Sequence, residues 1–325
     1  MVRMKKLLYA MLALLCLGGC MVAHTDMPLE DTPSSSVTET EQSVPDKQQA
    51  PDSQEFTPYQ APEFARAYFD HASAQGENGV LIDLSGVSMG YVAVSAESDV
   101  RMKFRVEMGE QIYDYDLPSD GTPAVYPLQC GNGSYIFRAL ANTVGTKYAE
   151  AYCVETQVRL KDDFQPFLRP SQYADYDEDS ICVEVAAELA SQQPDALGVV
   201  EAVFEYICEH VTYDKEKATH VKRGYLPSPD ETLSTGKGIC FDYASLVAAM
   251  LRSQGIPTKI VFGYVQPNDL YHAWNMFYTE ESGWVTVGYE VESNSWSRLD
   301  MTFSANGAGS EFIGDGTNYT DVYFY

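Results

Sequence analysis

Basic residues are scarce in this chain. It carries 21 Lys and Arg against 47 Asp and Glu, a formal charge of −26. A surface of that sign repels phosphate backbones and anionic headgroups, and no basic groove is legible, so nucleic acid is excluded as a partner. Histidine numbers five, which makes the search for an imidazole base short. No two cysteines stand as CxxC, which argues against the zinc sites built on that spacing. After the first twenty residues no apolar run is long enough to span a bilayer. No internal repeat is present, which sets aside solenoids and propellers.

The N-terminus is rich where the rest is poor. Arg3, Lys5 and Lys6 precede an apolar run from Leu7 to Leu17, too short for a lasting membrane helix. The run ends in "LGGC", Leu17 to Cys20, which resembles a bacterial lipobox. The resemblance implies export, cleavage before Cys20 and acylation of its thiol. The expected location is extracytoplasmic, lipid-anchored to the bacterial cell membrane at Cys20. Residues 1–20 are then a lipoprotein signal peptide. Residues 21–56 follow as an acidic Ser/Thr/Pro tether that cannot bury enough apolar surface to fold.

With Cys16 removed and Cys20 acylated, five cysteines remain, so at least one thiol stays free. Cys130 and Cys153 lie in a strand-rich region and could pair; the sequence leaves open whether they do. Cys182 and Cys208 sit among apolar neighbours and read as core. Around "EFARAYFDHAS" the pattern predicts a short helix. From Val80 to about Leu160, seven alternating runs separated by turn signals read as strands, which predicts an all-β sandwich over residues 57–170.

After Leu160 the texture changes. Helices are predicted at about 180–192 and 195–211, followed by a long polar loop, "TYDKEKATHVKRGYLPSPDETLSTGKG". A further helix runs from Cys240 to the stop signal Gly255-Ile256-Pro257. Five strand-like runs close residues 171–325, the last of them "NYTDVYFY". Its aromatics suggest a glycan surface, but a closing or edge strand is the expected role.

The chemistry concentrates in "GKGICFDYASLVAAMLRSQGIP". A cysteine at the first turn of a helix sits beside roughly half a positive charge, which favours thiolate. The backbone N–H groups there are unpaired and suited to an oxyanion. The preceding glycines allow a tight turn and leave the sulfur accessible. Taken alone, Cys240 also fits a buried capping cysteine. The base is sought among five histidines: His24 is in the tether, His71 precedes the strands, and His210 and His220 end a helix or lie in the polar loop. His272 opens a strand in "YHAWNMFYT", with Trp274 on the same face. Asp300 in "WSRLDMTF" is a carboxylate in an apolar strand and needs a partner. Asp242, two residues after the cysteine, is expected to favour the helix terminus by about 1 kcal/mol or less. Asp175, Asp177 and Asp179 lack the glycine and glutamate of a calcium loop and read as an acidic helix start, with Asp179 or Ser180 as N-cap.

"GKGICFDYASLVAAMLRSQGIPTKIVFGYV", "YHAWNMFY", "GWVTV" and "RLDMTF" together resemble the core of the transglutaminase-like superfamily, over about residues 180–305. The resemblance implies an α+β, papain-like fold in which the Cys-bearing helix packs on an antiparallel sheet. It implies Cys240 as nucleophile, His272 as base and Asp300 as orienting acid. Family members commonly have Pro after that Asp; here Met301 follows. No cofactor or metal is implied. The wider family includes cross-linkers and peptidases, so the resemblance leaves the acyl acceptor open. Hydrolysis of a peptide or isopeptide amide is the first expectation, with protein or cell-wall-associated peptide as substrate. Amine-dependent cross-linking is the alternative. A surface binding module with an idle triad is the alternative of another class.

Overall fold

The computed structural model describes residues 56–266, 270–280, 285–286, 289–290, 295–299 and 319–325. Cys20 and nearly all of the expected tether lie outside these residues, as does Asp300.

Seven strands form where alternation predicts them: β1 (Val80–Asp83), β2 (Tyr91–Ala96), β3 (Met102–Met108), β4 (Gln111–Leu117), β5 (Ala124–Pro127), β6 (Gly133–Val144) and β7 (Lys147–Val158). They make two antiparallel sheets, ordered β1-β2-β5 and β4-β3-β6-β7. In β3 the residues Met102, Phe104 and Val106 are buried and their neighbours less so, the period-2 signature of a sheet with one covered face. The sheets meet through Phe104 on Tyr126, with centroids 4.7 Å apart, and Tyr115 on Tyr126, at 4.9 Å.

The expected helix around residues 63–73 does not form. That segment satisfies its backbone through distant partners instead of an i−4 ladder. Tyr68 N–H donates to the Tyr91 hydroxyl and Asp70 N–H to the Asp83 carboxylate, and the Arg66 carbonyl accepts from Arg169. Cys130 and Cys153, a pairing the sequence leaves open, form no bridge. Both are free, and Arg138 Nη1 lies 3.5 Å from Cys153 Sγ.

Helices α1 (Ile181–Ala190) and α2 (Ala196–His210) follow, with Ser180 and Asp195 at their N-caps. The stretch read as a polar loop holds more structure than its composition suggests: β8 (Thr212–Tyr213), α3 (Lys215–His220), α4 (Pro229–Thr235) and β9 (Lys237–Gly238). The missed signals were caps. Asp214 accepts from Lys217 N–H, and Ser228 accepts from Glu231 N–H with Pro229 at the first helical position.

Helix α5 (Cys240–Ser253) is buried from Asp242 to Ser253, so it has no solvent face, as a helix in the middle of a core requires. Its far end is tied down by Arg252, which is 1% exposed and donates to the carbonyls of Thr258, Arg169 and Tyr325 at 2.8–3.0 Å. Gly255, at φ 76°, turns the chain out of the helix. The sheet beneath α5 is antiparallel, ordered β14-β11-β10-β15, from β10 (Thr258–Val265), β11 (Leu270–Thr279), β14 (Ser295–Leu299) and β15 (Tyr319–Phe324). A two-stranded ribbon, β12 (Val285–Thr286) with β13 (Tyr289–Glu290), precedes β14. "NYTDVYFY" thus supplies an edge strand of this sheet. The fold is α+β, with the Cys-bearing helix on an antiparallel sheet. Buried side chains of the β-rich part and of the helical part join in one cluster.

Candidate active site

The two glycines ahead of the cysteine have separate reasons. Gly236 caps α4 at φ 62°, and a Cβ there would lie 2.8 Å from the His210 carbonyl oxygen. Gly238 lets the backbone close on Asp242, whose Cβ would be 2.7 Å from an added one. Between them Lys237 pairs in parallel with Thr212, and Gly238 with Tyr213. Asp214 N–H donates to the Gly238 carbonyl at 2.9 Å. The chain therefore arrives at α5 along a short two-stranded rail rather than from a free loop.

Ile239 is the N-cap in extended conformation, so Cys240 is the first helical residue. Its thiol is free and only partly covered. The first N–H groups of a helix have no intrahelical acceptor, which leaves those of Cys240 and Phe241 beside the sulfur. Two phenols stand near it. Burial raises the Tyr213 hydroxyl above its ordinary value, with Cys240 and Asp242 adding to the effect. Tyr271 is raised by burial, then by Tyr264, Tyr323 and Cys240.

Asp242 is fully buried and holds the N-terminus of α5 together. One oxygen accepts from Ile239 N–H at 2.8 Å and pairs with Lys217 Nζ at 2.8 Å; the other accepts from the Tyr225 hydroxyl at 2.5 Å. Lys217 also donates to that hydroxyl at 2.7 Å. The acid-at-N3 position was legible in the sequence. Its partners were not, because both come from the stretch read as loop.

His272 is 4% exposed, on β11 opposite Gly263. Its ring centroid is 6.4 Å from that of Trp274, on the shared face that spacing by two demands. Asn275 donates from its side chain to the Ala244 carbonyl of α5 at 2.9 Å, so the alternate residues, Tyr271 among them, face that helix. The structure thus sets His272 and Cys240 on adjoining elements but does not bring the two side chains together: the imidazole is on the Trp274 face of β11, the one opposite α5. Leu299, immediately before Asp300 in sequence, pairs with Asn275.

Residues 183–289 match the transglutaminase-like superfamily. Among curated proteins, the chain is 32% identical over 97 residues to cytokinesis protein 3 of Schizosaccharomyces pombe, covering 27% of this chain and 11% of that one. It is 31% identical over 107 residues to kyphoscoliosis peptidase of Mus musculus, covering 30% and 16%. The chain therefore spans less than a fifth of the length of these relatives. Among solved structures, a candidate cysteine protease from Cytophaga hutchinsonii superposes at 16% identity over 73% of this chain and 86% of that one, with a TM-score of 0.36.

Proposed function

From the premise that residues 183–289 form a transglutaminase-like core, we propose that this protein is a thiol acyl-transfer enzyme acting on peptide or isopeptide amides. The observation that carries the reading is the setting of Cys240: a partly exposed, free thiol at the first position of α5, a helix buried from Asp242 to Ser253. His272 takes the thiol proton, and the thiolate sulfur attacks the amide carbonyl. The helix-terminal N–H groups receive the oxyanion, and His272 protonates the departing amine, leaving an acyl-thioester. His272 then draws a proton from water, which hydrolyses the thioester. Asp300 orients the imidazole and supports its charge. His272 shares the Trp274 face of β11, the one turned away from α5, so this role requires a rearrangement of the strand that turns the ring toward the sulfur in the substrate complex. Water, abundant outside the cell, is the proposed acceptor, with the enzyme lipid-anchored at Cys20 on the outer face of the membrane.

Alkylation and single-turnover acylation test this reading. Burial pushes the Cys130 and Cys208 thiols up to about 11, and raises Cys182 and Cys153 as well. With limiting iodoacetamide near neutral pH, Cys240 is expected to label first. Acylation by an activated peptide ester should vanish in Cys240→Ala and fall about 10²–10⁴-fold in His272→Ala. The loss in Asp300→Ala should not add to that of His272→Ala, because both disable one step. Faster labelling at another cysteine, or acylation by His272→Ala at the wild-type rate, refutes the assignment. Thioester turnover that requires an added amine points to cross-linking. A chain that binds peptide without acylating is a binding module.

A further inference from the structure

A cleft of about 800 Å³ opens between β3, β4, the turn joining β6 to β7, and residues 223–226. Its floor is a run of aromatic rings. Tyr115 touches Tyr173 at 5.9 Å between centroids, and Tyr173 touches Tyr325 at 4.4 Å and Phe241 at 5.4 Å. Phe241 meets Phe262 at 4.9 Å, and Phe262 lies 6.3 Å from Tyr271. The run therefore starts in the β-rich part and ends on Phe241 and Tyr271, the chain neighbours of Cys240 and His272. Tyr225, on the wall, is held to α5 by its bond to Asp242.

Charge on the walls is opposite to that of the chain. Two carboxylates line the cleft, and each is already answered by arginine: Asp116 by Arg101 at 2.6 Å and Asp114 by Arg105 at 2.7 Å. Lys103 and Arg223 also line it, and among the described residues neither is ion-paired with a carboxylate. Lys103 Nζ stands 5.3 Å from the centre of the Tyr148 ring. The segment that leads to Arg223, "KEKATHVKR", carries four Lys and Arg against one Glu in a chain of net charge −26, and Arg223 is its residue on the cleft wall. Two unanswered cations over an aromatic floor suit an extended chain that lays its backbone and apolar side chains on the rings and offers carboxylates to the walls.

We infer that this cleft is the substrate groove, that the β-rich part supplies one of its walls, and that it selects polypeptide segments carrying acidic residues, recognised by Lys103 and Arg223. The inference rests on the acyl-transfer reading for the direction of the groove, and its test separates the two. Fluorescein-labelled ten-residue peptides of Gly, Ala and Tyr, bearing two Glu, two Gln or two Lys at the same positions, are titrated by anisotropy into full-length Cys240→Ala. The Glu peptide is expected to bind about 2–10-fold more tightly than the Gln peptide at low salt, the range two exposed charge pairs provide, and the advantage should fade at 1 M salt. Lys103→Gln with Arg223→Gln should abolish the advantage, and Lys103→Glu with Arg223→Glu should reverse it towards the Lys peptide. An unchanged near-ultraviolet spectrum shows that the variants fold. In parallel, activated esters of the same peptides are used to acylate the chain with Cys240 intact, where the preference should appear in KM.

Equal binding of the three peptides, or a preference that survives both double variants, overturns the inference. So does polyphosphate displacing the Glu peptide as well as unlabelled Glu peptide does, since the cleft then takes polyanions at large. Acidic-selective binding without acylation supports the groove and overturns the catalytic reading. Acylation with no acidic preference does the reverse.

Discussion

At N3 of α5 the Asp242 carboxylate has four duties: the helix terminus, the Ile239 N–H, the Tyr225 hydroxyl and the Lys217 ammonium. The sequence-based expectation of about 1 kcal/mol or less counted only the first. Removing the charge from a fully buried carboxylate leaves Lys217 partly buried without its anion, and breaking such a pair costs more than the helix dipole supplies. Asp242→Asn should therefore destabilise the fold by about 2–4 kcal/mol, an amide keeping part of the hydrogen bonding. Urea denaturation measures it, and a loss below 1 kcal/mol would show that the Lys217 pair contributes little. Because Tyr225 lines the cleft, the same variant should also weaken peptide binding. A residue next to a nucleophile can thus be indispensable without taking part in the reaction.

At the scale of the element, β10 carries two unusual positions. Gly263 pairs with His272, and a Cβ there would lie 2.0 Å from the Thr320 carbonyl oxygen and 2.8 Å from Trp274 Cη2. Only glycine lets β15 and Trp274 approach together. Lys259 lies between the rings of Phe167 and Phe324, 4.8 and 5.0 Å from their centres. Burial pushes its ammonium down to about 8 from an ordinary 10.5. The sign follows from proton counting. Below pH 8 both folded and unfolded chains hold the proton, and the burial cost is present in full. Between about 8 and 10.5 the unfolded chain holds a proton that the folded chain has lost, so stability rises with pH. Lys259→Met should accordingly stabilise the protein most at pH 7, with the advantage shrinking towards pH 10.5. Paired denaturation curves at pH 7 and pH 9.5 check this. An advantage independent of pH would assign it to packing alone.

At the scale of the molecule, residues 55–325 form one compact unit, and one large cluster of buried side chains joins its β-rich and helical parts beside a smaller one of Val261, Val265, Trp274 and Tyr319. Tyr115 of β4 packs on Tyr173 and Tyr325, outside the first seven strands. Arg252 links α5 to the Arg169 carbonyl and to Tyr325. Elements joined through a shared core lose their packing together, so the unit should unfold in one transition. The near-ultraviolet signal of the tyrosine cluster and the labelling of Cys182, fully buried on α1, should change at the same denaturant concentration. Transitions separated by more than the experimental width would show that strands and helices unfold independently.

Sequence by itself determined the seven strands of the β-rich part and the helix that starts at Cys240. Period-2 alternation places β1 to β7, because a half-covered strand must write its two faces into alternate residues. The helix beginning at Cys240 and its stop at Gly255 are equally local, set by capping and by one left-handed position. The order of the Cys, His and Asp motifs is legible in one dimension. Tertiary structure decided what local pattern cannot carry. The segment around "EFARAYFDHAS" has helical spacing, yet Tyr91, Asp83 and Arg169, brought to it only by folding, bind its backbone and keep it out of a helix. Lys217 and Tyr225 looked like solvated loop residues until the fold set them on Asp242. The aromatic cleft gathers rings from β4, the segment before α1, α5, β10, β11 and the residue after β15. No window of sequence contains them, because a cleft is a property of distances between elements, and those distances are fixed only when the shared core closes.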